Sequence, residues 1–239
     1  MQGRSNLAKV HFTGISSFMS IPCSRSPGKT FTGFQTPLLL FAIFQYKIEK
    51  MISPNILLGA YSMGYFPMAD ENKNVSWFSP DPRTIIPLEN YNVPRSTKQL
   101  IKKQIFRIGI DTNFEAVIRG CASRKETWIS EEIIESYVEL HRLGFAHSVE
   151  SIDSEGIEGG LYGVALGSAF FGESMFSLKS GASKVALAFL IKHLSEKGFT
   201  LLDTQYSTPH LQTFGSTEIP KKKYIQILHQ AMTKKASFL

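Results

Sequence analysis

Leu161-Tyr-Gly-Val-Ala-Leu-Gly-Ser-Ala-Phe-Phe-Gly-Glu-Ser-Met-Phe-Ser-Leu178 is the stretch on which the fold turns. It reads as two apolar strands folded back at Gly167-Ser168. A strand with one wet face alternates with polar residues, and this stretch mostly does not. Its single Asp, Glu, Lys or Arg is Glu173. A carboxylate in so apolar a strand is costly to bury unless something pairs with it. Glu173 therefore has a cationic partner elsewhere in the chain or waits for a cationic ligand. Both alternatives are open at this point, because purely structural networks perturb carboxylates too.

Outward from this stretch, residues 145–152 form a strand in which His147 alternates with Val149, and Asp153-Ser-Glu-Gly156 is a hairpin turn. The result is an antiparallel meander over 145–152, 157–166 and 169–177. His147 suits a hydrogen-bonded structural role as well as a site. Downstream, Ser183 is the expected N-cap of a helix over 184–197, closed by Gly198. A strand over 199–202 ends in Asp203-Thr-Gln205. In an extended chain Asp203 and Gln205 point to the same side, although a turn-capping Asp would look the same. Thr208-Pro209 opens a helical turn, and Lys221–Met232 is a closing helix.

Upstream, Ser53-Pro54 supplies an N-cap and first-turn proline for a short helix carrying Ile56, Leu57, Ala60 and Tyr61, ending near Gly64. Residues 64–68 read as an aromatic turn, and 75–83 as a proline-punctuated segment leading into a strand over 84–88. Tyr65, Phe66, Trp77 and Phe78 suit a stacking pocket or plain core plugs. A helix starting at Ser96 carries Arg95, Lys98 and Lys102 on or near one face, with Lys103 and Arg107 nearby. A solvated face and a phosphate-contacting patch both fit. A strand over 106–110 and a helix over 113–121 follow. A second helix is N-capped by Ser130, has Glu131 and Glu132 at its positive end, carries a surface His141 and runs to Gly144. The order is helices, meander, helix, strand, helix. That is α+β, one central mostly antiparallel sheet flanked by helices.

The 239 residues, 43% hydrophobic and 12% aromatic, suffice for a substantial core. The formal charge of +6 is uneven: residues 1–50 hold six basic residues and one acid, leaving 20 basic and 19 acidic residues for 51–239. A nucleic-acid contact in 51–239 must therefore come from a local patch. Cys23 and Cys121 make neither a disulfide framework nor a metal-ligand spacing, which fits a reducing, cytoplasmic compartment. The apolar run 38–44, unsurpassed in length in the chain, falls far short of the about 20 residues that span a bilayer. Residues 1–50 read as an over-long start ahead of Met51, with a targeting peptide as the alternative.

The chain from about Ile56 to its end resembles the leucyl/phenylalanyl-tRNA–protein transferases. The resemblance rests on Gly64-Tyr-Phe-Pro67, Trp77-Phe-Ser-Pro-Asp-Pro-Arg83, Pro94-Arg-Ser96, Thr127-Trp-Ile129, Ala146-His-Ser-Val-Glu150, Gly159-Gly-Leu-Tyr-Gly-Val164, Phe171-Gly-Glu-Ser-Met-Phe-Ser177, Ala182-Ser-Lys184 and Leu202-Asp-Thr-Gln205, in the family's order and spacing. It implies an acyltransferase-like (N-acyltransferase) fold over 105–239, a smaller N-terminal α+β domain over 51–104, and an extension over 1–50. It also implies transfer of Leu, Phe or less readily Met from aminoacyl-tRNA to a protein's N-terminal Arg or Lys, creating a degradation signal. The enzyme is expected to act as a cytoplasmic monomer, with no membrane, no metal and no cofactor. A transferase with another acceptor, or an inactive tRNA-binding module, are the alternatives.

By the same resemblance Glu173 meets the cationic acceptor, Asp203 polarises its amine and Gln205 orients it. Trp128, Leu161 and Phe170 make the pocket for the donor side chain. Tyr61, Phe66 and Met68, with Trp77 beside them, hold the terminal adenosine, and Met68 stands where a Trp is often found. Arg95, Lys98 and Lys102 touch acceptor-stem phosphates.

Overall fold

The computed structural model describes residues 51–239, so the expectations for residues 1–50 lie outside the described residues. Helix α1 (Pro54–Ser62) opens this part, with Pro54 in its first turn. A two-stranded antiparallel hairpin follows, β1 (Phe66–Ala69) and β2 (Val75–Phe78), with Pro67 opposite Trp77 and Met68 opposite Ser76. The expected aromatic turn is thus a strand, because Val75–Phe78 gives residues 66–69 a partner. β3 (Arg83–Ile86) comes next, then α2 (Arg95–Lys102), β4 (Arg107–Ile110), α3 (Phe114–Ala122) and α4 (Glu131–Arg142). Asn113 and Ser130 cap α3 and α4 by accepting from Ala116 N and Ile133 N.

The meander is as expected: β5 (Ala146–Asp153), β6 (Gly156–Leu166) and β7 (Ala169–Ser177) pair antiparallel in sequence order. Then come α5 (Ala182–Glu196), β8 (Leu201–Gln205), α6 (Pro209–Gln212), β9 (Thr217–Ile219) and α7 (Lys221–Met232). The seven-stranded sheet has the order β4-β5-β6-β7-β8-β3-β9, so β3, from the segment before residue 104, lies inside it between β8 and β9. β8 is parallel to β7, which α5 makes possible as the crossover, and the other pairings in the sheet are antiparallel.

Ser183 is not the N-cap of α5. Gly181 takes that position at φ 84°, a left-handed conformation that suits glycine, with the Leu100 side chain of α2 packed over it. Ser183 instead gives its backbone N–H to Ser177 Oγ.

The central strands lack a polar face because both faces are covered. Tyr162, Val164, Phe171 and Leu201 belong to a core shared with α1, α3, α4 and α7. Leu161, Phe170 and Leu202 belong to a second core shared with α5, Phe214 and Phe238. Period-2 alternation therefore runs between two dry layers, and the sequence reads as continuously apolar. His147 is structural: buried, it hydrogen-bonds Asp111 Oδ2 through Nδ1 at 2.7 Å and stacks on Phe238. No helix among the described residues is long and apolar enough to cross a membrane.

Candidate active site

β7 and β8 run together only over Ala169–Phe171 and Leu201–Asp203. Beyond that point the strands part, and a cavity of about 370 Å³ fills the gap. Its apolar wall includes Trp128, Leu161, Met175, Leu187, Leu190 and Leu211; its polar wall includes Glu173, Thr204 and Gln205.

Two bulges aim the polar groups. Tyr162 pairs with Ser174 and Gly163 with Gly172, so Glu173 is the extra residue on β7. Thr84 pairs with Gln205 and Ile85 with Asp203, so Thr204 is the extra residue on β8. Such bulges re-aim side chains and break strand alternation. The extra residue Thr204 interrupts the alternation on which the expectation for Asp203 and Gln205 rested, and their side chains take different partners, Asp203 the Arg83 guanidinium and Gln205 the Glu173 carboxyl. Gln205 has φ 64°, a left-handed conformation uncommon for a residue with a side chain.

Glu173 has no ion pair among the described residues. Its Oε1 accepts from Gln205 Nε2 at 2.9 Å and its Oε2 from the Tyr137 hydroxyl at 3.2 Å, while the Tyr137 and Tyr61 hydroxyls share a hydrogen bond. Burial pushes the Glu173 carboxyl up to about 7; the Tyr61 and Tyr137 hydrogen bonds oppose that rise, the Asp203 charge adds to it, and the Arg83 charge also opposes it. Burial and then the Glu173 charge push both phenols well above the ordinary tyrosine range. Glu173 thus takes its hydrogen bonds from neutral donors and has no ion-pair partner among the described residues.

Asp203 lies behind this wall and is fully buried. Arg83 donates to it from Nε at 2.9 Å and from Nη2 at 2.6 Å, the Tyr224 hydroxyl at 2.8 Å, and the Gln205 backbone N–H at 2.9 Å. Gln205 joins the two carboxylates: its backbone binds Asp203 and its side chain binds Glu173.

Of the other expected site residues, Trp128 and Leu161 line the cavity, with the Arg124 guanidinium 5.9 Å from the Trp128 ring. Phe170 is fully buried behind the wall and stacks on Phe238. Tyr61 and Phe66 are buried in the first core, whereas Met68 and Trp77 are half-buried on the hairpin, which is tied to the Trp128 carbonyl by Ala69 N–H at 3.0 Å. Arg95, Lys98 and Lys102 are exposed on α2, away from the cavity wall. The sequence reading missed the roles of Arg83, Tyr137, Tyr224 and Arg124. Arg83 carried the same signal as Glu173, an ionised residue at the head of the apolar run Thr84-Ile-Ile86. Tyr137 announced itself only as a phenol on the apolar face of α4.

A family model described as leucyl/phenylalanyl-tRNA protein transferase matches residues 85–229, and a model of that family's N-terminal domain matches 50–81. The chain belongs to the leucyl/phenylalanyl-tRNA–protein transferase family. A relative of that name from Chlorobium limicola is 50% identical over 194 residues, 79% of this chain and 100% of that protein. Another from Rubrobacter xylanophilus is 48% identical over 182 residues, 76% of this chain and 95% of that protein. The solved structure of L-PGS from Bacillus licheniformis aligns with TM-score 0.38 at 13% identity, over 72% of this chain and 59% of that one, a likeness too slight to bear on this chain. As a leucyl/phenylalanyl-tRNA–protein transferase family member the chain is an enzyme, moving an aminoacyl group from tRNA to a protein acceptor.

Proposed function

We propose that this enzyme transfers Leu or Phe, and Met less readily, from aminoacyl-tRNA to the N-terminal Arg or Lys of a protein. The added residue then marks that protein for degradation. The observation that carries the acceptor choice is Glu173, a carboxylate in the wall of an apolar cavity with no ion-pair partner among the described residues. A guanidinium or ammonium side chain supplies the missing charge.

The reaction is attack of an α-amine on an activated ester. The N–C bond forms, the ester C–O bond breaks, and the amine proton ends on the departing ribose oxygen or in solvent. Such a step needs orientation and proton handling rather than a covalent nucleophile. In this reading Trp128, Leu161 and the leucines beside them receive the donor side chain, with Phe170 supporting them from behind. Met68 and Trp77 offer the adenosine a surface, and Tyr61 and Phe66 brace that surface from beneath. Gln205 orients the amine, and Asp203 acts through Gln205 rather than on substrate. The enzyme works as a cytoplasmic monomer.

The test uses Leu-tRNA carrying labelled leucine and peptides that begin with Arg, Lys or Ala. Label on the Arg and Lys peptides alone is the expected result. Transfer to none of them, with tRNA still bound, would count against the acceptor assignment.

The exposed side chains of Arg95, Lys98 and Lys102 are assigned to acceptor-stem phosphates. Arg95→Glu with Lys98→Glu is expected to weaken tRNA binding and to flatten its log–log salt dependence by about 1 for each phosphate left without its cation. A filter-binding titration at several salt concentrations reads this directly, and an unchanged slope removes α2 from the tRNA surface.

A further inference from the structure

Arg83 is fully buried at the head of β3. Its guanidinium meets Asp203 as a two-pronged fork and gives Nη1 to the Gly64 carbonyl at 3.1 Å. The Phe66 and Tyr224 rings flank it, their centroids 5.0 and 4.5 Å from Cζ. Burial works against the guanidinium charge, but the charge and hydrogen bonds of Asp203 outweigh it, so Arg83 holds its proton more tightly than an ordinary arginine. Both Asp203 oxygens are occupied: Oδ1 by Arg83 Nε and the Gln205 N–H, Oδ2 by Arg83 Nη2 and the Tyr224 hydroxyl.

A buried Arg–Asp pair is weak evidence for added stability, since well-packed apolar residues of similar volume often do as well. What this pair contributes is geometry. Asp203, fixed in its own plane by the fork, receives the backbone N–H of Gln205, and Gln205 sits in a left-handed conformation that a glutamine adopts only under constraint. From that conformation its amide reaches Glu173. The fork's third donor binds Gly64, the residue before the segment that enters the β1–β2 hairpin. A Cβ on Gly64 would come within 2.9 Å of the Tyr224 ring, so this approach requires glycine.

We propose that Arg83 is a positioning residue for aminoacyl transfer: it clamps Asp203, holds the end of β8 in the turn that aims Gln205 at Glu173, and ties that turn to the hairpin on the donor side. The inference rests on Glu173 and Gln205 being the reacting centre. It assigns Asp203 a permanent internal partner, which leaves Asp203 no free lone pair to offer the acceptor amine.

Arg83→Lys keeps the charge and loses the fork. Steady-state transfer of labelled leucine to an Arg-led peptide should fall by about 100-fold in kcat, the scale of a misplaced reacting group. Affinity for Leu-tRNA and KM for the peptide should stay close to wild type. Arg83→Met with Asp203→Asn should be no worse than the poorer single variant, since a clamp acts as a unit; losses that multiply would overturn the proposal. Should Arg83→Met fail to fold, Tyr224→Phe removes only one hydroxyl from Asp203 and should lower kcat more mildly at unchanged KM. Wild-type kcat in both Arg83→Lys and Tyr224→Phe overturns the clamp. Glu173→Gln and Gln205→Ala are measured alongside. Full turnover in those two would sink the reading of the centre itself and leave Arg83 no reaction to serve.

Discussion

Glu173→Gln is expected to lower kcat/KM for an Arg-led peptide by about 2–5 kcal/mol, roughly 30-fold to a few thousandfold, while affinity for Leu-tRNA stays near wild type. The size follows from where the charge sits. Glu173 is buried in an apolar wall and bound by two neutral donors, the Gln205 amide and the Tyr137 hydroxyl. A cation entering this cavity leaves its hydration behind, and the carboxylate is the compensation offered. Gln is nearly isosteric, so the cavity keeps its shape, but the side chain now turns an N–H₂ group toward either Gln205 or the guanidinium. Steady-state transfer with peptide varied at saturating Leu-tRNA, together with tRNA titration, separates the two affinities. Equal losses in tRNA and peptide binding would mean that Glu173 holds the site together rather than selecting the acceptor. An Ala-led peptide that becomes as good a substrate as an Arg-led one would be the strongest form of the expected result.

The central meander was legible because its physics is local. Gly167-Ser168 and Asp153-Ser-Glu-Gly156 mark the turns, and the apolar run between them has nowhere to go but a sheet covered on both faces. Glu173 was legible for the same reason, as a charge out of place. The turns of β7 and β8 at the site were not. A bulge inserts one residue without any sequence mark, and it reverses the parity on which side-chain directions depend. Nor could sequence choose between a cationic partner and a cationic ligand for Glu173. The candidate partner, Arg83, is 90 positions upstream, and only the placement of β3 between β8 and β9 delivers it to Asp203 instead. Gly181 as the cap of α5, in place of Ser183, sits at φ 84° beneath the Leu100 side chain, and the approach of those two helices is not encoded by any local propensity.

The same carboxylate makes stability and acceptor binding depend on pH in opposite directions. Burial raises the Glu173 carboxyl from 4.5 to about 7. The folded protein therefore binds a proton there more tightly than the unfolded chain does. The stability this contributes is fully present below about 4.5 and is lost as pH rises through about 7. Its size is on the order of 3 kcal/mol. Glu173→Gln does not titrate, so its urea-unfolding free energy, minus that of the wild type, should grow across this window and level off above it. Other titrating groups cancel in the difference. Acceptor binding runs the other way, because the cation needs the ionised form: affinity for an Arg-led peptide should rise with pH through the same midpoint and then flatten. The acceptor's own α-amine, with an ordinary pKa of about 7.7–8.0, adds a second limb to turnover that survives in Glu173→Gln, so the limb lost in the variant is the one that belongs to the carboxylate. A stability difference flat in pH would mean that Glu173 is ionised throughout and already compensated. The charge that attracts the acceptor would then have to be sought elsewhere on the cavity wall.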